Sequence, residues 1–270
     1  MCCWPRRLPG RAGYEVTGFD LADGADVLDL AAVSHAARGC AAIVHLAALA
    51  HDNAGRPEQI MAVNVLGTWH VLLAAEAAGA SRVICFSSAQ ALGIAEGERL
   101  PDYFPVDDDH PRRAMRPYGL SKVLAEDMCE GFTARTGIPT VCPRPVAVWH
   151  QTRYAAVEDL WHAQPSAEWE PFWEYGAFVD ARDVAAAVDL ALTVPLSGHH
   201  RTLLCADDIA GTAPSLELAA RLAPGVPVTA PARYLADPHA ALLDCRAAET
   251  ALGWKPAYRW AGRGEDADLA

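Results

Sequence analysis

Ser81-Arg-Val-Ile-Cys-Phe-Ser-Ser88 is an apolar run that ends in two adjacent hydroxyls, and Tyr118-Gly-Leu-Ser-Lys122 begins 30 residues after the second of them. The first stretch reads as a β-strand, because its apolar residues are consecutive, β-branched or aromatic, and too few for a helix. The second opens a helix predicted over about 117–136, with Pro117 in a first-turn position that suits its fixed φ. Tyr118 and Lys122 are four residues apart and so share one helix face. An ammonium close to a phenol favours the phenolate, which makes a tyrosine usable as an acid or base near neutral pH. A hydroxyl at the carboxyl end of a parallel strand lies where such sheets bind their ligands.

Working outward, Tyr14–Asp20, Ala41–Ala48, Ile138–Arg144 and Arg201–Ala206 read as further strands, several apolar almost throughout. Continuous apolar strands point to a parallel sheet buried on both faces. Helical stretches are predicted over about 30–39, 57–79, 181–193 and 213–222. In the second of these Ile60, Val63, Leu66, Gly67 and Val71 recur at helical spacing. Strands alternating with helices imply an α/β fold with a doubly wound, Rossmann-like parallel sheet. After Arg144 the pattern changes. Trp149, Trp161, Trp169, Phe172, Trp173 and Tyr175 mark an aromatic-rich segment of mixed helix and loop, read as core packing of a small C-terminal lobe.

The chain has 270 residues, 34 acids against 22 bases and a net charge of −12. That balance argues against a nucleic-acid partner. No uninterrupted apolar run reaches the length of a membrane span, and Met1–Arg7 has no apolar signal region, so a cytoplasmic protein is expected. Cys85, Cys142 and Cys205 lie in strand-like runs and Cys129 in a helical one, which reads as buried, reduced thiols. No metal site is expected: His45, His51 and His199-His200 have no companion ligands at metal spacing, and Asp107-Asp-Asp-His110 reads as a solvated loop. No G-x-S-x-G elbow follows a strand, which argues against a Ser-His-Asp hydrolase.

Over about Tyr14–Trp260 the chain resembles the extended short-chain dehydrogenase/reductase family of NAD-dependent epimerases and dehydratases. The resemblance implies that Ser88, Tyr118 and Lys122 are the catalytic serine, tyrosine and lysine, and that Asn64 in Val63-Asn-Val-Leu-Gly67 is the supporting helix asparagine. It places Leu46, Ala47 and Ala48, after His45, against the cofactor, and Asp26-Val27 at the adenine. Arg144-Pro145 and Val148 match the segment beside the nicotinamide. Phe178-Val-Asp-Ala-Arg-Asp183 and Leu252-Gly-Trp-Lys-Pro256 match later signatures. Asp20, at a strand end, is positioned to accept hydrogen bonds from ribose hydroxyls and to repel a 2′-phosphate, so NAD is the expected cofactor. Residues 1–148 are expected to form the dinucleotide-binding core, and 149–270 mainly a substrate lobe, with about 176–206 returning to the core. Family resemblance also implies a homodimer through the helices near 57–79 and 117–136.

Three departures from the family pattern stand out. Only thirteen residues precede Tyr14, whereas a first strand, glycine loop and helix need roughly 25–30; Gly10-Arg-Ala-Gly13 is a poor substitute. Without that helix N-terminus for the pyrophosphate, weak NAD binding is expected, and a start-site or frameshift origin is one reading of the gap. Gly176 stands where the family often places an arginine that meets a nucleotide-sugar, and Trp149-His150 replaces Tyr-Gly-Pro. Ser88 is followed by Ala89 and Gln90 rather than the Asp-Glu pair of family dehydratases. The expected activity is therefore oxidoreduction or epimerisation at a hydroxyl of a sugar, nucleotide-sugar or small alcohol. The alternative is a catalytically defective relative that binds a ligand or partner.

Overall fold

The computed structural model describes residues 13–164 and 174–260, apart from the side chains of Glu96, Trp161 and His162. Met1–Pro9, most of Gly10–Gly13, Trp169, Phe172, Trp173 and the tail from 261 lie outside the described residues. In chain order the elements are α1 (Leu30–Ala37), β1 (Ile43–His45), α2 (Pro57–Met61), α3 (Gly67–Ala78), β2 (Val83–Cys85), α4 (Pro117–Thr136), β3 (Thr140–Pro145), β4 (Ala147–Trp149), α5 (Gln151–Ala163), β5 (Phe178–Asp180), α6 (Ala181–Thr193), β6 (His199–Leu204), α7 (Ser215–Leu222), α8 (Pro231–Ala236) and α9 (Arg246–Leu252). The fold is α/β. Its main sheet has the order β1-β2-β3-β6, and β4 and β5 form a separate parallel pair. β1 and β2 are parallel, with His45 level with Cys85, and β2 and β3 are parallel, with Ile84 level with Val141. Helical crossovers between successive parallel strands make the winding.

The chain divides into two compact units. The first holds the residues up to Ala91, Ala114–Pro143 and Val188–Arg201; the second holds Leu92–Arg113, Arg144–Ala187 and the residues from Thr202. The second unit thus takes in 92–113 and 144–148 from the stretch expected to be core.

The first unit's core joins Val33 and Ala37 of α1, Val71, Leu72 and Ala75 of α3, Val83 of β2 and Ala125 and Phe132 of α4. Helix Pro57–Ala78 is continuous and has a π turn over Ala62–Leu66. Its 22 residues are long and apolar enough by composition to cross a membrane, although polar residues interrupt the apolar run. Here it carries Val71, Leu72 and Ala75 into that core and buries Ile60 as well.

The expected strand Tyr14–Asp20 is not formed. Residues 14–18 are irregular and exposed, with no ladder partner among the described residues, and only Phe19 reaches the core. Strand propensity expresses itself only against a neighbour.

In the second unit, Trp149 is wholly buried and stacks on Phe178 at a centroid distance of 4.8 Å, with Tyr154 and Trp260 edge-on to it. The departure at Trp149 is therefore a core residue of this unit. Arg144, also wholly buried, is held by Asp108 at 3.0 Å.

Candidate active site

The site lies in the first unit, where the first turn of α4 meets the chain leaving β2. Arg116, the residue before the helix, contributes no side-chain cap, and Pro117 follows at the first helical position. The cap comes instead from afar: the main-chain N–H of Tyr118 donates to Oδ1 of Asp52 at 2.8 Å. Asp52 belongs to the short 3-10 turn Asp52–Ala54, well after β1. A carboxylate here satisfies an orphan amide and complements the helix dipole.

Gly119 explains how closely α4 approaches the strand end. A Cβ at this position would lie 2.7 Å from the carbonyl oxygen of Gln90 and 2.9 Å from Cβ of Ala114. The helix is therefore seated directly on the turn that follows Ser88. The Oγ of Ser88 accepts from the main-chain N–H of Gln90 at 3.2 Å, which leaves its own proton to donate.

Tyr118 is 7% exposed, and its hydroxyl has no hydrogen-bond partner among the described residues. Nζ of Lys122 lies 5.6 Å from the centroid of the Tyr118 ring. Lys122 is 6% exposed and donates to the main-chain carbonyl of Phe86 at 2.8 Å. Phe86 O is its one acceptor among the described residues, although an ammonium has three protons to place. A buried ammonium short of acceptors is costly unless a ligand supplies them.

Behind this pair, Asn64 ties three segments together. Its Oδ1 accepts from Leu49 N at 2.8 Å, and its Nδ2 donates to Leu49 O at 3.1 Å and to Ser121 Oγ at 2.9 Å. Ser121 in turn donates to the carbonyl of Tyr118 at 2.7 Å. Asn64 sits in the π turn, and single-turn π segments concentrate at functional sites. Its contacts tie Leu49 to the first turn of α4. His45 and Thr68 pair at 3.0 Å, and Thr68 donates to Asn64 O at 2.6 Å. Burial pushes His45 down to about 3, so the ring is neutral. Ser87 donates to the wholly buried Glu126 at 2.6 Å.

The structure brings together Asn64, Ser88, Tyr118 and Lys122, together with Asp52, Ser121 and Glu126, which sequence reasoning missed. Glu126 had a signal, four residues after Lys122 on the same helix face; Asp52, in a loop, had none. Of the expected cofactor residues, Asp20 accepts from Ala22 N at 2.9 Å with one oxygen, leaving the other unused among the described residues. Asp26 is exposed and accepts from Leu28 N at 2.9 Å. The Val27 side chain is buried against Gly67, where an added Cβ would lie 2.8 Å from it, so Val27 offers a ligand its main chain only. Leu46, Ala47 and Ala48 follow β1 and are half-buried. Val148 is exposed on β4, in the second unit.

The sequence profile of the NAD dependent epimerase/dehydratase family matches residues 7–205. The uronate dehydrogenase of Pseudomonas putida is 36% identical over 119 residues, which are 44% of this chain and 42% of that protein. The UDP-glucose 4-epimerase of Rhizobium meliloti is 26% identical over 172 residues, 59% of this chain and 50% of that protein. The chain thus spans half or less of the length of these curated relatives. A short-chain dehydrogenase/reductase superfamily protein from Agrobacterium tumefaciens, solved with bound NAD, superposes with a TM-score of 0.62 at 22% identity, covering 88% of this chain and 81% of that one. MoeE5, solved in complex with UDP-glucuronic acid and NAD, superposes with a TM-score of 0.62 at 18% identity, covering 88% of this chain and 84% of that one. At these identities the likeness establishes the fold, which is Rossmann-like.

Proposed function

Because this chain belongs to the NAD dependent epimerase/dehydratase family, we propose that it catalyses NAD-dependent oxidation of a sugar hydroxyl through Ser88, Tyr118 and Lys122, with free uronates as the substrate class. One observation carries the reading: among the described residues, a buried ammonium with a single protein acceptor lies beside a buried phenol whose hydroxyl is unengaged. That pair fits NAD at its ribose, since the protons left over on Lys122 suit a vicinal diol. The Asp20 oxygen left unused among the described residues suits the adenosine ribose in the same way, and Asp26, the Val27 main chain and Leu46–Ala48 would complete the cofactor's surroundings. When bound, the cofactor supplies the hydride acceptor. Lys122 stabilises Tyr118 as the phenolate, whose Oη takes the substrate hydroxyl proton, and the Ser88 hydroxyl donates to the reacting oxygen. Asn64 and Ser121 hold the first turn of α4 in place.

The uronate class is supported by the 36% identity to a uronate dehydrogenase and by Gly176. Gly176 has φ +77°, and a Cβ there would lie 3.0 Å from Cβ of Ile209. A left-handed backbone and this tight contact disfavour the arginine that family resemblance places there for a nucleotide-sugar. Epimerisation of a nucleotide-sugar is the second reading, favoured by the epimerase relative.

The direct test is incubation with NAD and glucuronate or galacturonate, following NADH absorbance, after NADH fluorescence has established binding. Net NADH from a uronate is the expected result. Interconversion of UDP-glucose and UDP-galactose without net NADH would replace it with the epimerase reading. NADH binding without turnover of either substrate class would leave the ligand-binding relative.

Two further properties belong to this proposal. The protein acts as a homodimer, supported by Leu66 and Trp69, 47% and 38% exposed, and by Leu120 and Leu124, 37% and 38% exposed, on the two helices the family uses to pair. We place it in the cytoplasm, consistent with its free thiols.

A further inference from the structure

We propose that Cys85, Cys129 and Cys142 form a three-thiolate site for a trivalent thiophilic ion of the arsenite type. The proposal is independent of the dehydrogenase reading. The three Sγ atoms all lie within 4.8 Å of one another. They come from β2, α4 and β3, and their side chains are essentially without solvent exposure. An ion with sulfur bonds of about 2.3 Å holds three sulfurs roughly 4 Å apart, so the thiols need little movement to close on it.

Charge selects the ion. The pocket is part of the first unit's apolar core, with Val83, Ala125 and Phe132. Lys122, which acts on Cys85, and Glu126, which acts on Cys142, stand at its edge, one basic and one acidic side chain. Three thiolates around a monovalent ion would bury two uncompensated negative charges and around a divalent ion one, each strongly unfavourable in such surroundings. Around a trivalent ion they bury none. The chemistry balances without an oxidant: arsenous acid and three thiols give three As–S bonds and three waters, each thiol proton leaving with one hydroxyl of the acid. His45, level with Cys85 across the β1–β2 pair, has a buried Nδ1 without a hydrogen-bond partner among the described residues. Occupation would tie β2, β3 and α4 together, and so join the strand leading to Ser88 to the helix carrying Tyr118 and Lys122.

The test is to add arsenite to the reduced, purified protein, both folded and during refolding, and to weigh the intact chain under non-denaturing conditions. Uptake of one arsenic with loss of three thiol hydrogens is expected, and X-ray absorption should show three As–S bonds. Cys129→Ala, with its fold confirmed by circular dichroism, should weaken binding by about a hundredfold or more, beyond the roughly 10–100-fold typical of losing a residue that only supports a ligand. Cys85→Ala and Cys142→Ala should behave alike, so one well-folded variant of the three is enough. Cys245→Ala is the control, because Cys205 and Cys245, with sulfurs 3.3 Å apart, are a second thiol pair; it should bind as the wild type does. Two As–S bonds, unchanged binding in Cys129→Ala, tighter binding of zinc than of arsenite, or no uptake by either route would each overturn the proposal.

Discussion

The amide of Tyr118 is capped by the carboxylate of Asp52, at 2.8 Å and across 66 residues of sequence. The proposed acid/base residue is thus oriented by a loop of the β1 crossover rather than by its own helix. The same crossover contributes Leu49, whose main-chain N–H and carbonyl are both bound by Asn64, and Asn64 reaches α4 through Ser121. Two separate tethers therefore fix the first turn of α4.

Asp52→Ala should lower stability by about 1 kcal/mol, the typical worth of a helix cap. Urea unfolding followed by circular dichroism measures this. Turnover should fall more than cofactor affinity, since the substitution loosens Tyr118 but leaves Lys122 on Phe86. Asp52→Asn should recover most of the stability, because the amide oxygen still accepts.

Gly119→Ala should destabilise, although alanine in a helix interior ordinarily gains about 1 kcal/mol over glycine. The new methyl meets the Gln90 carbonyl at 2.7 Å, which is backbone and cannot turn aside. A net loss of about 1–3 kcal/mol is expected from overpacking. A raised melting temperature in Gly119→Ala would contradict the close seating of α4 on the Ser88 turn.

Tyr118→Phe should abolish turnover and leave NADH affinity within a few-fold, because the ring continues to pack and only the proton-carrying hydroxyl is lost. Lys122→Ala should reduce both. Initial rates and NADH fluorescence titrations separate the two effects. Comparable activity in wild type and Tyr118→Phe would remove Tyr118 from the mechanism.

Acid should destabilise the first unit through its buried histidines. Burial holds His45 down at about 3, below its ordinary value of 6.5. The fold keeps this ring neutral while the unfolded chain takes up a proton below about pH 6.5. Stability is therefore full above that pH and falls by roughly 1.4 kcal/mol per pH unit as the pH drops toward 3. His199, pushed down to about 4 mainly by burial and secondarily by Arg201, acts in the same direction. Between pH 7 and pH 5, His45→Gln should remove about 2 kcal/mol of the pH-dependent loss seen in the wild type. Denaturant midpoints of the two proteins at both pH values give the comparison.

Trp69→Glu together with Leu124→Glu should shift the protein from dimer to monomer in analytical ultracentrifugation while circular dichroism stays unchanged. Both side chains are already more than a third exposed in the single chain, so charges there do not disturb its core. A wild-type monomer at the same concentration would discard the pairing.

Where a feature depended on neighbours along the chain, the sequence by itself was sufficient. Helix Pro117–Thr136 and the apolar strands around Ile43, Val83 and Val141 follow from periodicity and proline placement, and a spacing of four puts Tyr118 and Lys122 on one face of that helix. Tertiary structure decided the rest, because contacts between distant segments leave no local pattern. Tyr14–Asp20 has the composition of a strand but no ladder partner among the described residues, and residues 14–18 stay irregular and exposed. The π turn around Asn64 forms where that side chain reaches Leu49 and Ser121, a match that helical periodicity does not encode. Cys85, Cys129 and Cys142 carry no ligand spacing along the chain; the parallel pairing of β2 with β3, and the packing of α4 over them, is what brings the three sulfurs together.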